Sequence, residues 1–360
     1  MLETQLAQYL QLTFTPGVGV VTFLRLLQQF GDVANVYAAG QTEVAKMVGK
    51  GVAGSIFSDN ALPEVEKTLK WLSSAPQRFL LTLVDDEYPA ELAEIAMPPT
   101  VLFMEGQREL LSGRKVAMVG SRHPTQQGIQ NALAFGGELA AAGVTVVSGL
   151  AAGIDRYSHE GALTVSGGRT IAVIGTGIDL VYPASNRELF QRIRHEGLLI
   201  SEYPLATPAL ANNFPRRNRI IVGLSQACLV VESAIDGGSM ISADFALEMG
   251  RDVLAIPGSI HNPMARGCHK LIKQGAKLCE TVSDVLEELA QSAQKNINLS
   301  AVTEKEDIIL SAMGFDPVSL DLLCARLNLD FGEMCGKLLE YELEGKIVSC
   351  GGGRYQRVFK

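Results

Sequence analysis

Positive charge, aromatic side chains and long apolar runs are all scarce in this chain. Its 31 Lys and Arg face 39 Asp and Glu, a formal net charge of -8 over 360 residues. A long-range negative field repels polyanions, so indiscriminate nucleic-acid binding is disfavoured. Screening within ~8 Å still permits a concentrated local basic patch. Aromatics are 6% of the residues, with one Trp. No apolar run reaches the ~18 residues of a membrane span, and the opening MLETQLAQYL has no basic region or cleavage-type signal, so a cytoplasmic protein is expected. The six cysteines, at 228, 268, 279, 324, 335 and 350, form no CxxC pair and no zinc spacing with a histidine, which reads as free thiols in a reducing compartment.

Catalytic signatures are missing too. The five histidines (123, 159, 195, 261, 269) show no HExxH spacing, and there is no nucleophile elbow and no Gly-x4-Gly-Lys-Ser/Thr phosphate loop. Ser148 ends an apolar run but has no evident base. His159 lies four residues after Asp155, on the same helix face, and reads as a turn-stabilising pair. No catalytic residue, metal site or cofactor is expected.

What is present is an alternation. Hydrophobic residues make up 47% of the chain, enough for a large core. Residues 1–75 read as helical, with a Thr15-Pro16-Gly17-Val18-Gly19 turn, Gly31 as a helix stop and Asp32 as an N-cap. A helix–GVG–helix pattern suits either a tight packed turn or a helix-hairpin-helix phosphate site. RFLLTLVDDEYP and PPTVLFMEG read as strands. From Lys115 on, KVAMVG, VTVVSG, TIAVIG, LLISE, CLVVE and DVLAIPG are strand-length apolar runs, each followed by a turn and a helical pattern. That alternation predicts a parallel, doubly wound α/β sheet whose ligands sit beyond the strands' C-terminal ends. The expected units are a helical 1–75, an extended Rossmann-like 76–290, a polar linker 291–303 and a winged helix 304–360, built from three helices and a hairpin.

The residues just after the strands carry the chemistry. Gly120-Ser121-Arg122 is a small-residue turn entering a helix that Thr125 can cap. It reads equally as an anion site and as a capped helix with a solvated arginine. Gly149, in Ser148–Asp155, and Gly238 with Ser239, after CLVVE, mark two further glycine-rich turns. Gly175-Thr176-Gly177 lacks the third glycine of a dinucleotide fingerprint, and Tyr182-Pro183 follows instead. Phe214-Pro215-Arg216-Arg217-Asn218-Arg219 is the most informative segment. Arginine forks grip phosphate and an aromatic face stacks an unstacked base, so the pairing favours single strands; Arg217 or Arg219 could instead pair inward.

Taken in order, the motifs resemble those of the DNA-processing protein A (DprA/Smf) family. They are YPxxL…PPxVLFxxG (88–106), GSR (120–122), SGLAxGID (148–155), TIAVIGTGID…YP (170–183), LLISEYP (198–204), FPRRNRIIVGLS (214–225), GSMISADFALEMGR (238–251) and AIPG (255–258). The resemblance covers most of the chain and is strongest over 88–280. It implies a homodimeric single-stranded DNA-binding protein that protects incoming DNA and loads a RecA-type recombinase in natural transformation, without turnover. It implies that Arg122 contacts phosphate, that Phe214 stacks or wedges against a base, and that Arg216, Arg217 and Arg219 line the same basic pocket. Family members often carry a basic residue within SGLAxGID, where this chain has Ala152; Ala211 likewise supplies no charge.

Two other functions compete. Glycine-rich helix starts also occur in phosphoribohydrolases of the lysine-decarboxylase-like group, although their PGGxGT is DGGSM here. A duplex-reading winged helix is disfavoured, because its candidate recognition helix sets Glu333, Glu340, Glu342 and Glu344 against Lys337.

Overall fold

The computed structural model describes residues 3–291 and, beyond them, 309, 313, 318–327, 330–343, 346–351 and 353–357. The chain divides into two compact units, Met1–Leu289 and Ala290–Lys360. The helices of the first 75 residues therefore belong with the sheet in one unit. The expected linker, apart from residue 291, and most of the helical pattern 306–313 lie outside the described residues.

The first unit opens with α1 (Glu3–Phe14), α2 (Val20–Phe30), α3 (Val33–Val48), α4 (Lys50–Ile56) and α5 (Leu62–Ser73). Gly31 ends α2 at φ 84°, where glycine has no Cβ to clash. The Asp32 side chain caps α3 by accepting from the Asn35 amide at 2.7 Å. These helices keep a core of their own around Phe23, Leu26 and Ile56. Leu10, Val65 and Trp71 also pack on sheet residues Val101, Phe103 and Leu199. The Tyr9 hydroxyl donates to the Thr100 carbonyl at 2.6 Å, fixing α1 to the sheet.

The sheet has nine strands: β1 (Arg78–Thr82), β2 (Val101–Gly106), β3 (Lys115–Gly120), β4 (Thr145–Ser148), β5 (Thr170–Ile174), β6 (Leu198–Ser201), β7 (Ala227–Glu232), β8 (Asp252–Ala255) and β9 (Lys277–Leu278). Their order is β1-β2-β6-β5-β4-β3-β7-β8-β9. From β3 to β9 every pairing is parallel, while β2 joins β6 and β1 joins β2 antiparallel. The inner strands are buried along their length, as a sheet covered on both faces requires. The covering helices are α6 (Ala90–Ala93), α7 (Gln126–Ala141), α8 (Ile154–Ala162), α9 (Arg187–Glu196), α10 (Asn213–Gly223), α11 (Gly238–Glu248), α12 (Arg266–Lys273) and α13 (282–291). The chain leaves β3 towards β4 on one side and later crosses to β7 on the other. Strand order thus reverses between β3 and β7, where a doubly wound sheet opens a crevice.

The second unit contains β10 (Val318–Ser319), α14 (Leu320–Leu327), α15 (Phe331–Leu343), β11 (Ile347–Gly351) and β12 (Arg354–Arg357), with β12 central in an antiparallel three-stranded sheet. Leu323, Met334, Leu338 and Ile347 form its core, as in a winged helix. Among the described residues, no helix is long and apolar enough to cross a membrane.

Candidate functional site

The reversal point holds a cavity of about 360 Å³, lined among others by Gly120–Arg122, Asp155, Phe214, Asn218 and Ser239. The turn after β3 is held from behind. The Ser121 amide donates to the Glu232 carbonyl at 2.8 Å, and the Ser121 carbonyl accepts from the Ile154 amide at 3.0 Å. Glu232 is buried, and its carboxylate accepts from both the amide and the hydroxyl of Thr125 at 2.8 Å. Thr125 in turn caps α7 by accepting from the Gly128 amide at 3.2 Å. With its backbone fixed, the turn leaves the Arg122 side chain exposed, and the guanidinium lies 5.7 Å from the centre of the Phe214 ring.

Phe214 is placed by the start of α10. The Asn213 side chain donates to the Gly175 carbonyl at 3.1 Å, and the ring packs on Gly175, where a Cβ would come within 2.9 Å of it. Tyr182 flanks the same ring at 5.2 Å and is 48% exposed. A smaller cavity of about 90 Å³ continues the trough past Phe214, between Tyr182 and Ala152. Arg122, Phe214 and Tyr182 thus present a cation and two aromatic faces along one trough. The sequence reading missed Tyr182 and Glu232. Tyr182 was visible only as the residue that spoils a dinucleotide loop. Glu232 could have been suspected as an acid closing a core strand opposite a capping threonine.

The turn after β4 differs from expectation. Gly149 is buried, and its amide donates to Asp155 at 3.1 Å. The Ala151 amide reaches the same carboxylate at 3.4 Å. The Leu150 amide donates to His159 Nε2 at 3.3 Å, and the Asn186 side chain donates to the Leu150 carbonyl at 2.9 Å. Leu150 sits at φ 54°, a conformation that these bonds maintain. The Thr170 hydroxyl donates to the Val146 carbonyl, so it accepts from His159 Nδ1–H; Nε2 is then the free acceptor for Leu150. Burial, with the Arg217 charge adding to it, pushes the imidazole down to about 3 and keeps it neutral. Asp155 and His159 are therefore internal acceptors. Gly149 therefore offers no free amide to a ligand, although it lines the smaller cavity beside Phe214.

The three arginines also part company. FPRRNR is helical, and at 3.6 residues per turn Phe214, Arg217, Asn218 and Ile221 face the cavity while Arg216 and Arg219 turn away. Arg217 is 3% exposed. It donates to the carbonyls of Gly149 and Val173 and lies 3.8 Å from Asp155. A Cβ at position 149 would occupy the guanidinium's place. Burial pushes Arg217 down to about 10 against the opposing pull of Asp155, and burial raises Asp155 despite Arg217. Arg219 pairs with Glu202, and Arg216 is exposed without an ion pair among the described residues. The single basic pocket expected for all three is corrected: helical periodicity distributes them over the interior and a second face. Asn218 remains on the cavity, although its Oδ1 accepts from Arg217 Nε at 3.0 Å. Gly238 is exposed at the start of α11, beside the cavity, and the Ser239 hydroxyl is turned to Ser233 at 2.8 Å.

An exposed guanidinium over an aromatic ring, beside an uncapped helix start, suits a phosphate joined to a planar base. The polar groups placed for acid–base chemistry are engaged: the Ser148 hydroxyl donates to the Met118 carbonyl at 2.6 Å, and His159 is locked neutral. Among the described residues, no group of three or more His, Cys, Asp or Glu side chains is arranged to hold a metal ion.

Comparison with known proteins identifies the family. The sequence model of the DNA recombination-mediator protein A family matches residues 79–290, and that of the DprA winged helix domain matches 293–353. The chain is similar to Protein Smf of Synechocystis, at 34% identity over 400 residues, covering 99% of this chain and all of that one. Its structure resembles DNA processing protein A of Streptococcus pneumoniae, with a TM-score of 0.69 and 36% identity, over 78% of this chain and 97% of the other. It also resembles DNA processing protein A of Helicobacter pylori, a protein with a described single-stranded DNA binding mode. That match has a TM-score of 0.54 and 28% identity, over 59% of this chain and 96% of the other.

Proposed function

Because this chain belongs to the DNA recombination-mediator protein A family, we propose that it binds single-stranded DNA in the Arg122–Phe214 trough and mediates loading of a RecA-type recombinase. The observation that carries this reading is Phe214, whose ring lines the cavity beside the Arg122 guanidinium and the Tyr182 ring. A base reaches such a ring only when unstacked, which a duplex forbids and a single strand permits. Arg122 takes the adjoining phosphate, and the start of α11 at Gly238 adds backbone donors and the positive end of a helix dipole. With a net charge of -8, affinity rests on these few local contacts. Arg217, buried against Asp155, acts as a scaffold beneath them.

In this reading the protein works without turnover, in the cytoplasm and as a homodimer, protecting the strand taken up in natural transformation before the recombinase replaces it. Fluorescence anisotropy with a single-stranded oligonucleotide and its duplex, at two salt concentrations, tests the core of it. Tighter binding of the single strand, lost in Arg122→Ala, is expected. A duplex preference, or equal affinity in Arg122→Ala, sinks it. The competing nucleotide-processing reading is tested by incubation with nucleoside monophosphates, where release of free base would establish an enzyme. Recombinase loading is read as faster filament nucleation on the bound strand.

A further inference from the structure

The second face of α10 is not surplus surface. Arg216 and Arg219 line a depression of about 210 Å³ together with Val20, Thr100, Glu202 and Tyr203. Glu202 holds one arm of Arg219, whose side chain is 11% exposed, and the other terminal nitrogen, Nη1, is buried without an acceptor. Arg216 is exposed and makes no ion pair among the described residues. Two guanidinium groups thus face one carboxylate. Val20 opens α2, an 11-residue helix whose N-cap, Gly19, supplies no side-chain acceptor to the first amides. The depression therefore has two guanidinium groups on one wall and the positive end of a helix on another.

Resting on the single-strand reading above, we infer that this depression is a second phosphate subsite for the same strand, one that draws the helical N-terminal region into DNA binding. Arg216 is its free cation. The hollow on the other side of the two arginines does not compete, because it is also lined by Glu91, Glu94 and Glu248, whose carboxylates repel a phosphate. The strand turns towards Val20, where Glu202 is the one carboxylate lining the depression among the described residues. An α-helix is ~10–12 Å across, so passing from Phe214 over the tip of α10 takes roughly three nucleotides at a stacked spacing of ~3.4 Å. The subsite therefore acts only on strands long enough to make that turn.

Length dependence is the test. Arg216→Gln removes the free cation, and Val20→Glu places a carboxylate in the depression while leaving Arg122 and Phe214 alone. Affinities for thymidine oligonucleotides across the ~4–16 nucleotide range of single-strand sites are measured at several salt concentrations. Both variants are expected to leave the shortest oligonucleotides unaffected and to bind the longest several-fold more weakly. The salt slope of Arg216→Gln should fall by ~0.7 on the long strands alone. Unchanged affinity at every length, with Arg122→Ala still impaired, overturns the subsite and leaves the main reading standing. An equal loss at all lengths overturns it as well, by making Arg216 part of the first site. If Arg122→Ala also binds normally, both fall.

Discussion

Two small-residue turns leave adjacent strands of the same sheet, and they do opposite things. The turn after β3 is braced from behind by Glu232 and Ile154, which leaves Arg122 free at its tip. The turn after β4 is braced from within: Asp155, His159 and Asn186 take its amides and carbonyls, and Arg217 fills the space beneath Gly149. Both have the composition of an anion cradle. What separates them is where the backbone donors already find acceptors, so in the proposed reading the first is a contact surface and the second a platform.

The sharpest way to break this comparison is at the platform. Arg217→Met would leave Asp155 buried without its counter-charge and two carbonyls without a donor. Removing one partner of a buried pair costs about 3–5 kcal/mol. We expect a loss of that order in denaturant unfolding, whereas Arg122→Ala, at an exposed side chain, should stay within about 0.5 kcal/mol of the parent protein. A stable Arg217→Met that has lost only DNA binding would make Arg217 a contact residue after all.

The contact surface is probed by Phe214→Ala. Base–aromatic stacking contributes about 1–3 kcal/mol per base, so single-strand affinity should fall about fivefold or more with an unaltered salt slope, since no phosphate contact is lost. Arg122→Ala should lower the slope as well, by ~0.7. A slope that falls equally in both variants would show that Phe214 acts by placing Arg122 and not by stacking.

How much of this was legible in the sequence follows from the kind of signal. The apolar runs from KVAMVG to DVLAIPG gave the inner strands because a strand buried on both faces must be apolar throughout. The antiparallel addition of β1 and β2 beside β6 was not legible, since strand order is a tertiary choice that no local run encodes. At the site, Arg122 and Phe214 stood out by type. Their neighbours did not, because clustering along the chain is not clustering in space. A helical period applied to Phe214–Arg219 would already have separated Arg216 and Arg219 from Phe214, Arg217 and Asn218. The inward turn of Arg217 depends on Asp155, 62 residues earlier, and on the absent side chain of Gly149, a pairing that spacing alone does not reveal.

Acid separates the platform from the surface more gently. His159 is held down to about 3 from an ordinary value of 6.5, chiefly by burial and then by Arg217. A depressed folded value means that its contribution is complete above pH 6.5 and is lost as the pH falls towards 3. Within that window the unfolded chain takes up a proton that the folded chain refuses. Each pH unit near pH 5 should therefore remove about 1 kcal/mol. Asp155, raised by burial, works in the opposite direction, so the measurement is the difference in slope between the parent protein and His159→Asn. Equal slopes would mean that the imidazole is already charged in the folded state, and that Leu150 is held by something else.

The smallest expected effect is the most diagnostic of where the strand runs. Ala152 is exposed on the platform turn and lines the shallow continuation of the trough beside Phe214 and Tyr182. The amides of Leu150 and Ala151 before it are committed to His159 and Asp155, and the alanine side chain supplies no cation. Ala152→Lys places a cation at that point without touching a buried group, and stability should change by no more than about 0.5 kcal/mol. If the strand crosses the turn, one more phosphate is neutralised: affinity at low salt rises a few-fold and the salt slope steepens by ~0.7. The gain should fade at high salt, as an exposed contact must. An unchanged slope would mean that the strand leaves the trough before Ala152, confining the first site to the Arg122 side of Phe214 and making the platform turn a support with no surface role.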